Sequence, residues 1–178
     1  AAAFEYYAEV GRRSFGNSIP PVAPHQVNFT IKEPFGVVAA IVPFNFPLMV
    51  PNWTMPNALV LGNTMVMKPS ELVPLSCLRM AELLKEAGLP DGVFNIVNGG
   101  KEIVAGICEH PDIDAVSFVG STRVAKLVYQ QSTHNLKRCI ALGGACSGID
   151  LPCCGNDPAT FGYNNVICCA TDFGGGSA

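Results

Sequence analysis

Residues 36–71 read GVVAAIVPFNFPLMVPNWTMPNALVLGNTMVMKPSE, and this stretch decides the fold. Its first part, GVVAAIV, is apolar, β-branched and bounded by glycine and proline, which is typical of a buried strand. The loop PFNFP follows, residues 48–61 predict a helix interrupted or shifted by Pro51 and Pro56, and NTMVMK predicts the next strand. A strand, a helix and a second strand in this order indicate parallel pairing through a crossover.

The segment before this stretch predicts a helix, a connector and a strand. Residues 2–15 place Phe4, Tyr7 and Val10 at helical spacing, which indicates an amphipathic helix. The proline-rich segment IPPVAPHQ ends that helix, and the alternating segment VNFTIKE predicts a strand over residues 27–33.

The segment after it begins with the clearest helix signal in the chain, PSELVPLSCLRMAELLKEAG. Ser70 is a candidate N-cap, Gly88 is a stop signal, and the apolar face consists of Leu75, Leu78, Leu83 and Leu84. A strand, helix, strand, helix and strand then follow in VFNIV, KEIVAGICEH, AVSFVG, STRVAKLVYQQ and KRCIAL. This alternation predicts an α/β fold, an open parallel sheet with helices on both faces. Ligands bind such sheets where strands end and loops turn into helices.

The composition fits one globular domain with a sizeable core. The chain has 178 residues, of which 49% are hydrophobic and 14% are charged, and its net charge is −3. About 70% of the unfolded surface can be buried at this size, and the composition excludes a disordered polymer. The lack of a basic excess argues against a nucleic-acid partner.

Residues 34–67 carry no formal charge, which raises the question of a membrane span. Prolines and asparagines are spread through this segment, and they would break a helix and carry a large free-energy cost in lipid. We therefore expect no membrane partner and interpret the segment as a buried strand, loop and helix.

The composition changes towards the C-terminal end of the sequence. The last forty residues contain no lysine or arginine but six of the eight cysteines. We therefore expect a boundary near residue 145, with one domain over residues 1–145 and an atypical Cys- and Gly-rich tail over 146–178. We read no secretory signal, and expect free thiols in a reducing compartment. Adjacent cysteines such as Cys153 and Cys154 are poor zinc ligands, so no metal site is predicted, and a thiol or metal module is the least favoured function.

Two strand-end loops carry candidate polar groups. Asn45 lies between two aromatics in PFNFP, where its amide could donate to a developing oxyanion or simply form a turn. Lys68 leaves a buried strand just before the Pro-Ser segment that contains Glu71. Its ammonium either points at a ligand on the edge of the sheet or is solvated.

Two further loops offer backbone groups. Gly120 and Ser121 lie at a strand-to-helix turn, where they either present N–H groups to a phosphate or form an ordinary helix cap. The segment ALGGA, residues 141–145, ends a strand with a glycine pair that either permits close backbone approach or forms a common turn.

The order and spacing of these loops resemble the NAD(P)-dependent aldehyde dehydrogenase family over about residues 4–145. The segments most similar to the methylmalonate/malonate-semialdehyde dehydrogenase branch are EPFGVVAAIVPFNFP, GNTMVMKPSE, EAGLPDGVFNIVNG, HPDIDAVSFVGST and KRCIALGGA. The resemblance implies a Rossmann-like coenzyme-binding domain, here incomplete, and NAD as cofactor.

The resemblance also assigns roles to residues of this chain. Asn45 matches the asparagine that stabilises the oxyanion, Lys68 and Glu71 match the residues that bind the adenosine ribose, and Gly120 and Ser121 match the turn at the pyrophosphate. The further coenzyme-binding residues that it implies are Val42, Pro43, Phe44, Ser70 and Leu142.

The nucleophile that the resemblance requires is a cysteine, and Cys168 is the candidate. The segment ATFGYNNVICCA keeps the alanines, Phe161, Gly162 and Cys168 of the family pattern, but Asn165 replaces a glycine. The connection from the Leu-Gly-Gly turn is also shorter than in the family. Two interpretations of Cys168 therefore stay open: it is the nucleophile, or it belongs to a degenerate tail.

The resemblance implies oxidation of a short semialdehyde with NAD through a cysteine thiohemiacetal to an acyl-thioester. Ala141 stands where hydrolytic members have a glutamate, which matches the branch that passes the acyl group to coenzyme A. The alternative is a truncated, non-catalytic nucleotide-binding relative. Full-length members are expected to form homo-oligomers, an expectation that does not extend to this chain. The expected location is intracellular, in the mitochondrial matrix of a eukaryote and otherwise in the cytoplasm.

Overall fold

The computed structural model describes residues 2–143, which form five helices, a five-stranded parallel sheet and a two-stranded antiparallel ribbon. The helices are α1 (Ala2–Arg12), α2 (Pro51–Val60), α3 (Pro74–Glu86), α4 (Lys101–Glu109) and α5 (Thr122–His134). The strands are β1 (Ser18–Ile19), β2 (Asn28–Phe29), β3 (Val37–Ile41), β4 (Thr64–Lys68), β5 (Phe94–Ile96), β6 (Ala115–Gly120) and β7 (Arg138–Gly143). The parallel sheet has the order β5-β4-β3-β6-β7.

Helices cover both faces of this sheet, which confirms the predicted fold class. On one face, α2 and α3 pack against the sheet and α1 packs on α2, around Val38, Ala40, Met55, Met65, Met67, Cys77 and Met80. On the other face, α4 and α5 pack against strands β3, β6 and β7, around Ala39, Ile41, Ile107, Cys108, Val116, Phe118, Val128 and Cys139. Successive residues of β3 alternate between the two clusters, as the period of a strand requires.

The first two helices are shorter than the sequence predicts. Helix α1 ends at Arg12 rather than at residue 15, and α2 begins at Pro51 rather than at residue 48. Pro51 occupies the first turn, where its missing N–H costs no hydrogen bond. Pro56 lies inside α2 without ending it, and it is buried next to the fully buried Met55. Packing on the sheet therefore offsets the hydrogen bond that Pro56 cannot make.

The predicted start of α3 is wrong, and its predicted apolar face is only partly confirmed. The helix begins at Pro74 with Val73 as its N-cap, whereas Ser70 belongs to the preceding turn and its carbonyl accepts from the Val73 N–H. Proline is favoured in the first turn of a helix, so Pro74 outweighs the serine signal. Cys77 and Met80 are buried, and Leu84 packs against the same cluster, whereas Leu75, Leu78 and Leu83 are exposed to solvent. The stop at Gly88 is confirmed by its φ of 93° directly after the helix.

The predicted strand over residues 27–33 is only partly present. Strand β2 contains two residues and pairs antiparallel with β1. Strand β1 ends at Ile19, the first residue of the predicted proline-rich connector. Phe29 is exposed in this ribbon. Alternation alone overestimates the length of this strand, since neither of its faces has a sheet to pack against within the described residues.

Three cysteines are buried as free thiols within the described residues. Cys77, Cys108 and Cys139 are at most 2% exposed. Burial raises the pKa of all three thiols and raises that of Cys139 to about 11. The Ser132 hydroxyl lies beside Cys108 and Cys139 and partly opposes this shift in their pKa values.

We expect these three thiols to resist alkylation in the folded chain at pH 8, because only the thiolate is nucleophilic and burial disfavours it. Peptide mapping after iodoacetamide treatment should find them unmodified without urea and modified in urea. Equal labelling with and without urea would contradict this prediction.

Burial gives the Cys139 thiol a higher pKa in the folded chain than in the unfolded chain, so on raising the pH the unfolded chain loses the thiol proton first. The contribution of this thiol to the free energy of unfolding is therefore complete below pH 9.0 and is lost as pH rises towards 11.

Ser132 is a fully buried polar residue whose Oγ has no hydrogen-bond partner of normal geometry among the described residues. Replacing Ser132 by alanine removes a hydroxyl whose contacts with the Cys108 and Cys139 thiols fall short of normal hydrogen-bond geometry, so little favourable interaction is lost. We expect the free energy of unfolding, measured in urea, to stay within about 0.5 kcal/mol or to rise. A clear loss of stability would show that the hydroxyl makes a favourable contact.

Candidate functional site

The ends of four sheet strands bring most of the candidate residues to one edge. Ile41 in β3 pairs with Lys68 in β4 and with Phe118 in β6, and Gly120 in β6 pairs with Gly143 in β7. Because all these strands are parallel, the loops that follow them leave from the same edge. The chain runs outward from β3 to β5 and then returns to β6, so the strand order reverses between β3 and β6. Such a reversal opens the crevice in which α/β sheets bind ligands.

The loop after β3 is attached to its neighbours at both ends. The Val42 N–H donates to the Lys68 carbonyl at 3.1 Å, and the Cys77 thiol donates to the Pro47 carbonyl at 3.8 Å. Val42 is buried and Pro43 is half-buried, whereas Phe44 and Asn45 are exposed. The loop therefore presents the Asn45 amide at the carboxyl edge of the sheet.

Lys68 and Glu71 form an ion pair at the end of β4. The Lys68 Nζ lies 2.9 Å from Glu71 Oε2, and the lysine side chain is only 5% exposed while that of the glutamate is 58% exposed. Hydrogen bonds from the backbone N–H of Glu71 and from Lys68 lower the pKa of this carboxyl. An ammonium group has three donors, and the structure records one of them in use within residues 2–143. The alternative of a simply solvated lysine is wrong, because Lys68 is buried.

Ser70 lies between these two residues in the turn that precedes α3. Its Oγ accepts from the Leu72 N–H at 3.3 Å, which fixes the turn rather than the helix start. The residue is half-buried, and it keeps Glu71 within reach of Lys68.

The start of α5 follows β6 directly. Ser121 is the N-cap residue by position, with extended backbone, but its side chain makes no capping hydrogen bond. Its carbonyl accepts from the Ala125 N–H at 2.9 Å, which starts the helix. The hydroxyl of Ser121 and the first N–H groups of α5 therefore lie at the carboxyl edge, where helix N-termini favour anions.

Two glycines pack this corner tightly. A Cβ on Gly120 would lie 2.6 Å from the tip of the Phe118 ring, and one on Gly143 would lie 3.0 Å from the Thr122 Cα. The close approach at Gly143 is therefore between β7 and the first turn of α5. Leu142, one residue earlier, is half-buried beside β6.

The turn before α4 is a part of this edge that the sequence analysis missed. Gly99 has a φ of 151°, and Gly100 is the N-cap of α4. A Cβ on Gly100 would lie within 4 Å of carboxylate oxygens of both Glu71 and Glu102. The glycine pair one residue after VFNIV, in VFNIVNGG, is the signal that could have identified this turn.

Cys168, the candidate nucleophile, lies outside the described residues. Within residues 2–143, no three His, Cys, Asp or Glu side chains come close enough to hold a metal ion. In the same part of the chain, none of the helices is long and apolar enough to cross a membrane.

The model of the aldehyde dehydrogenase family matches residues 1–149 of the chain. A malonate-semialdehyde dehydrogenase of Lacticaseibacillus casei is 51% identical over 141 residues, which are 79% of this chain and 29% of the relative. The chain therefore spans less than a third of the length of this relative.

Solved structures of related enzymes are similar to the chain over the same part of its length. The methylmalonate-semialdehyde dehydrogenase of Oceanimonas doudoroffii is 50% identical, with a TM-score of 0.77 over 79% of this chain and 29% of that one. A structure from Sinorhizobium meliloti 1021 that was solved in complex with NAD is 43% identical, with a TM-score of 0.77 and the same coverage.

Proposed function

Because the chain belongs to the aldehyde dehydrogenase family, we propose that it forms the coenzyme-binding part of an NAD-dependent dehydrogenase of short semialdehydes. The names of its relatives support this substrate class. The domain division at residue 145, with a tail that contributes to catalysis, belongs to the same proposal.

The observation that carries the proposal is the buried Lys68 ammonium at the carboxyl edge, one strand away from the point where the strand order reverses. Burying an ammonium has a high free-energy cost, and its carboxylate partner, Glu71, is itself mostly in solvent. A cation held in this way is poised to donate to a polar ligand. A ribose, whose hydroxyls both donate and accept, fits a lysine and a carboxylate placed side by side.

The rest of the edge fits the remainder of a dinucleotide. The first N–H groups of α5 and the Ser121 hydroxyl would hold the pyrophosphate, with Gly120 giving it access to the backbone. The residues that would line the crevice are Val42, Pro43, Phe44, Ser70 and Leu142. When bound, NAD supplies the hydride acceptor.

The chain's own groups would perform the acyl chemistry. The thiolate of Cys168 would attack the aldehyde carbon, and the exposed Asn45 amide would donate to the resulting oxyanion. Loss of hydride leaves an acyl-thioester on the cysteine. The thiol of coenzyme A would then accept the acyl group and release Cys168, in keeping with Ala141 in place of a water-activating glutamate. The intracellular location and the oligomeric state stay predictions.

The second candidate is a nucleotide-binding relative without catalytic activity. The observation that favours it is the segment around Cys168, where Asn165 replaces a glycine of the family pattern. Such a protein would retain NAD binding at Lys68 and lack turnover.

The experiment is NADH formation from malonate semialdehyde, with and without coenzyme A, in the unmodified chain and in Cys168→Ala. Cys169→Ala is the matched control, because it removes the neighbouring thiol. The proposal expects turnover that needs coenzyme A and is lost only in Cys168→Ala. Turnover that survives this substitution would contradict the nucleophile assignment. NAD binding without turnover would favour the second candidate.

A further inference from the structure

Two carboxylates flank Gly100 at the start of α4. A Cβ on this glycine would lie 3.4 Å from Glu102 Oε2 and 3.8 Å from Glu71 Oε1. Glu71 Oε2, in turn, accepts the hydrogen bond from Lys68. The two acidic side chains therefore share one small region, directly beside the group that would bind the ribose.

The charge balance of this region favours a ligand without an additional negative group. Lys68 is already compensated by Glu71, so Glu102 adds a second negative charge that this ion pair does not neutralise. Lys101 is the other charged residue in the first turn of α4 and opposes this effect, as does the positive end of the helix. Both Lys101 and Glu102 are exposed, and their contributions are therefore screened by salt.

We propose that Glu102 is a specificity-determining residue that disfavours a dinucleotide carrying a phosphate on the adenosine 2′-oxygen. This inference rests on the proposed function, since it requires the ribose to lie at Lys68 and Glu71. A 2′-phosphate there would carry its charge into the region that the two carboxylates share. Glu71 alone would disfavour it, and Glu102 adds to the repulsion from a second element of the fold.

The test is a titration of the full chain with NAD and with NADP, comparing the unmodified protein with Glu102→Gln. Removing the Glu102 carboxylate, which lies beside the position of the ribose, should lower the ratio of the NADP Kd to the NAD Kd by about threefold to tenfold. Glu102→Lys should lower the ratio further. Glu109→Gln is the matched control, because Glu109 is an exposed glutamate at the other end of the same helix.

The salt dependence separates a charge effect from a structural one. The difference between Glu102→Gln and the unmodified chain should shrink when the ionic strength is raised, because exposed charges are screened. The inference is overturned if NAD binds and the ratio is unchanged in Glu102→Gln and Glu102→Lys, or if Glu109→Gln changes it equally. Failure of the unmodified chain to bind either dinucleotide would instead overturn the proposed function, and the inference with it.

Discussion

Lys68→Met should weaken NAD binding by about tenfold to hundredfold, which corresponds to the free energy of one hydrogen bond from a charged donor. The ammonium is buried beside an exposed carboxylate, so methionine fills similar space but offers the ligand no donor. The remaining Glu71 carboxylate is exposed and can be hydrated, and we therefore expect the chain to fold. The Kd for NAD by calorimetric titration measures the effect.

Lys85→Met is the matched control for Lys68→Met. Lys85 is an exposed lysine in the last turn of α3, where it pairs with Asp91. Its replacement should leave the Kd for NAD unchanged, since exposed ion pairs contribute little. Binding that survives in Lys68→Met at full strength would remove the observation on which the proposed function depends.

The fold was predictable because each sheet strand is a short apolar segment bounded by glycine, proline or polar residues. The segment GVVAAIV gives β3, which lies at the centre of the sheet and is buried on both faces. The errors arose where packing overrides local pattern. Of the four leucines assigned to the apolar face of α3, only Leu84 packs against the core, because Cys77 and Met80 occupy most of the side that meets the sheet. Alternation likewise predicted a long strand where the ribbon has only two residues per strand.

The candidate site was predictable in part, because the order of the strands along the chain determines which loops lie together. Strand-end loops such as those at Asn45 and Lys68 must meet at one edge when the strands are parallel. Burial of the Lys68 ammonium could not be predicted from sequence, because it depends on the turn at Ser70 that brings Glu71 to it. The Glu102 carboxylate was missed because its proximity to Glu71 depends on how α4 starts after β5. Such distances between elements have no signal in a local segment.

Met55→Ala should lower the free energy of unfolding by about 2–5 kcal/mol, the cost of a cavity left by a large buried side chain. Met55 is 0% exposed and belongs to the core cluster that contains Val38, Met65 and Met67. This loss is a large fraction of the stability of a typical domain. Met55 also anchors α2, the helix that directly follows the loop containing Pro43 and Phe44, which would line the NAD crevice, so the same variant should weaken NAD binding. Urea unfolding followed by circular dichroism measures the stability.

Met55→Leu is the matched control, because leucine nearly conserves the volume of methionine. It should cost less than about 1.5 kcal/mol, since a volume-conserving change leaves no cavity. The comparison isolates packing from chemistry, as both substitutions remove the sulfur and only alanine removes the bulk. Equal losses in the two variants would mean that the thioether itself, and not the filling of space between α2 and the sheet, stabilises this face of the core.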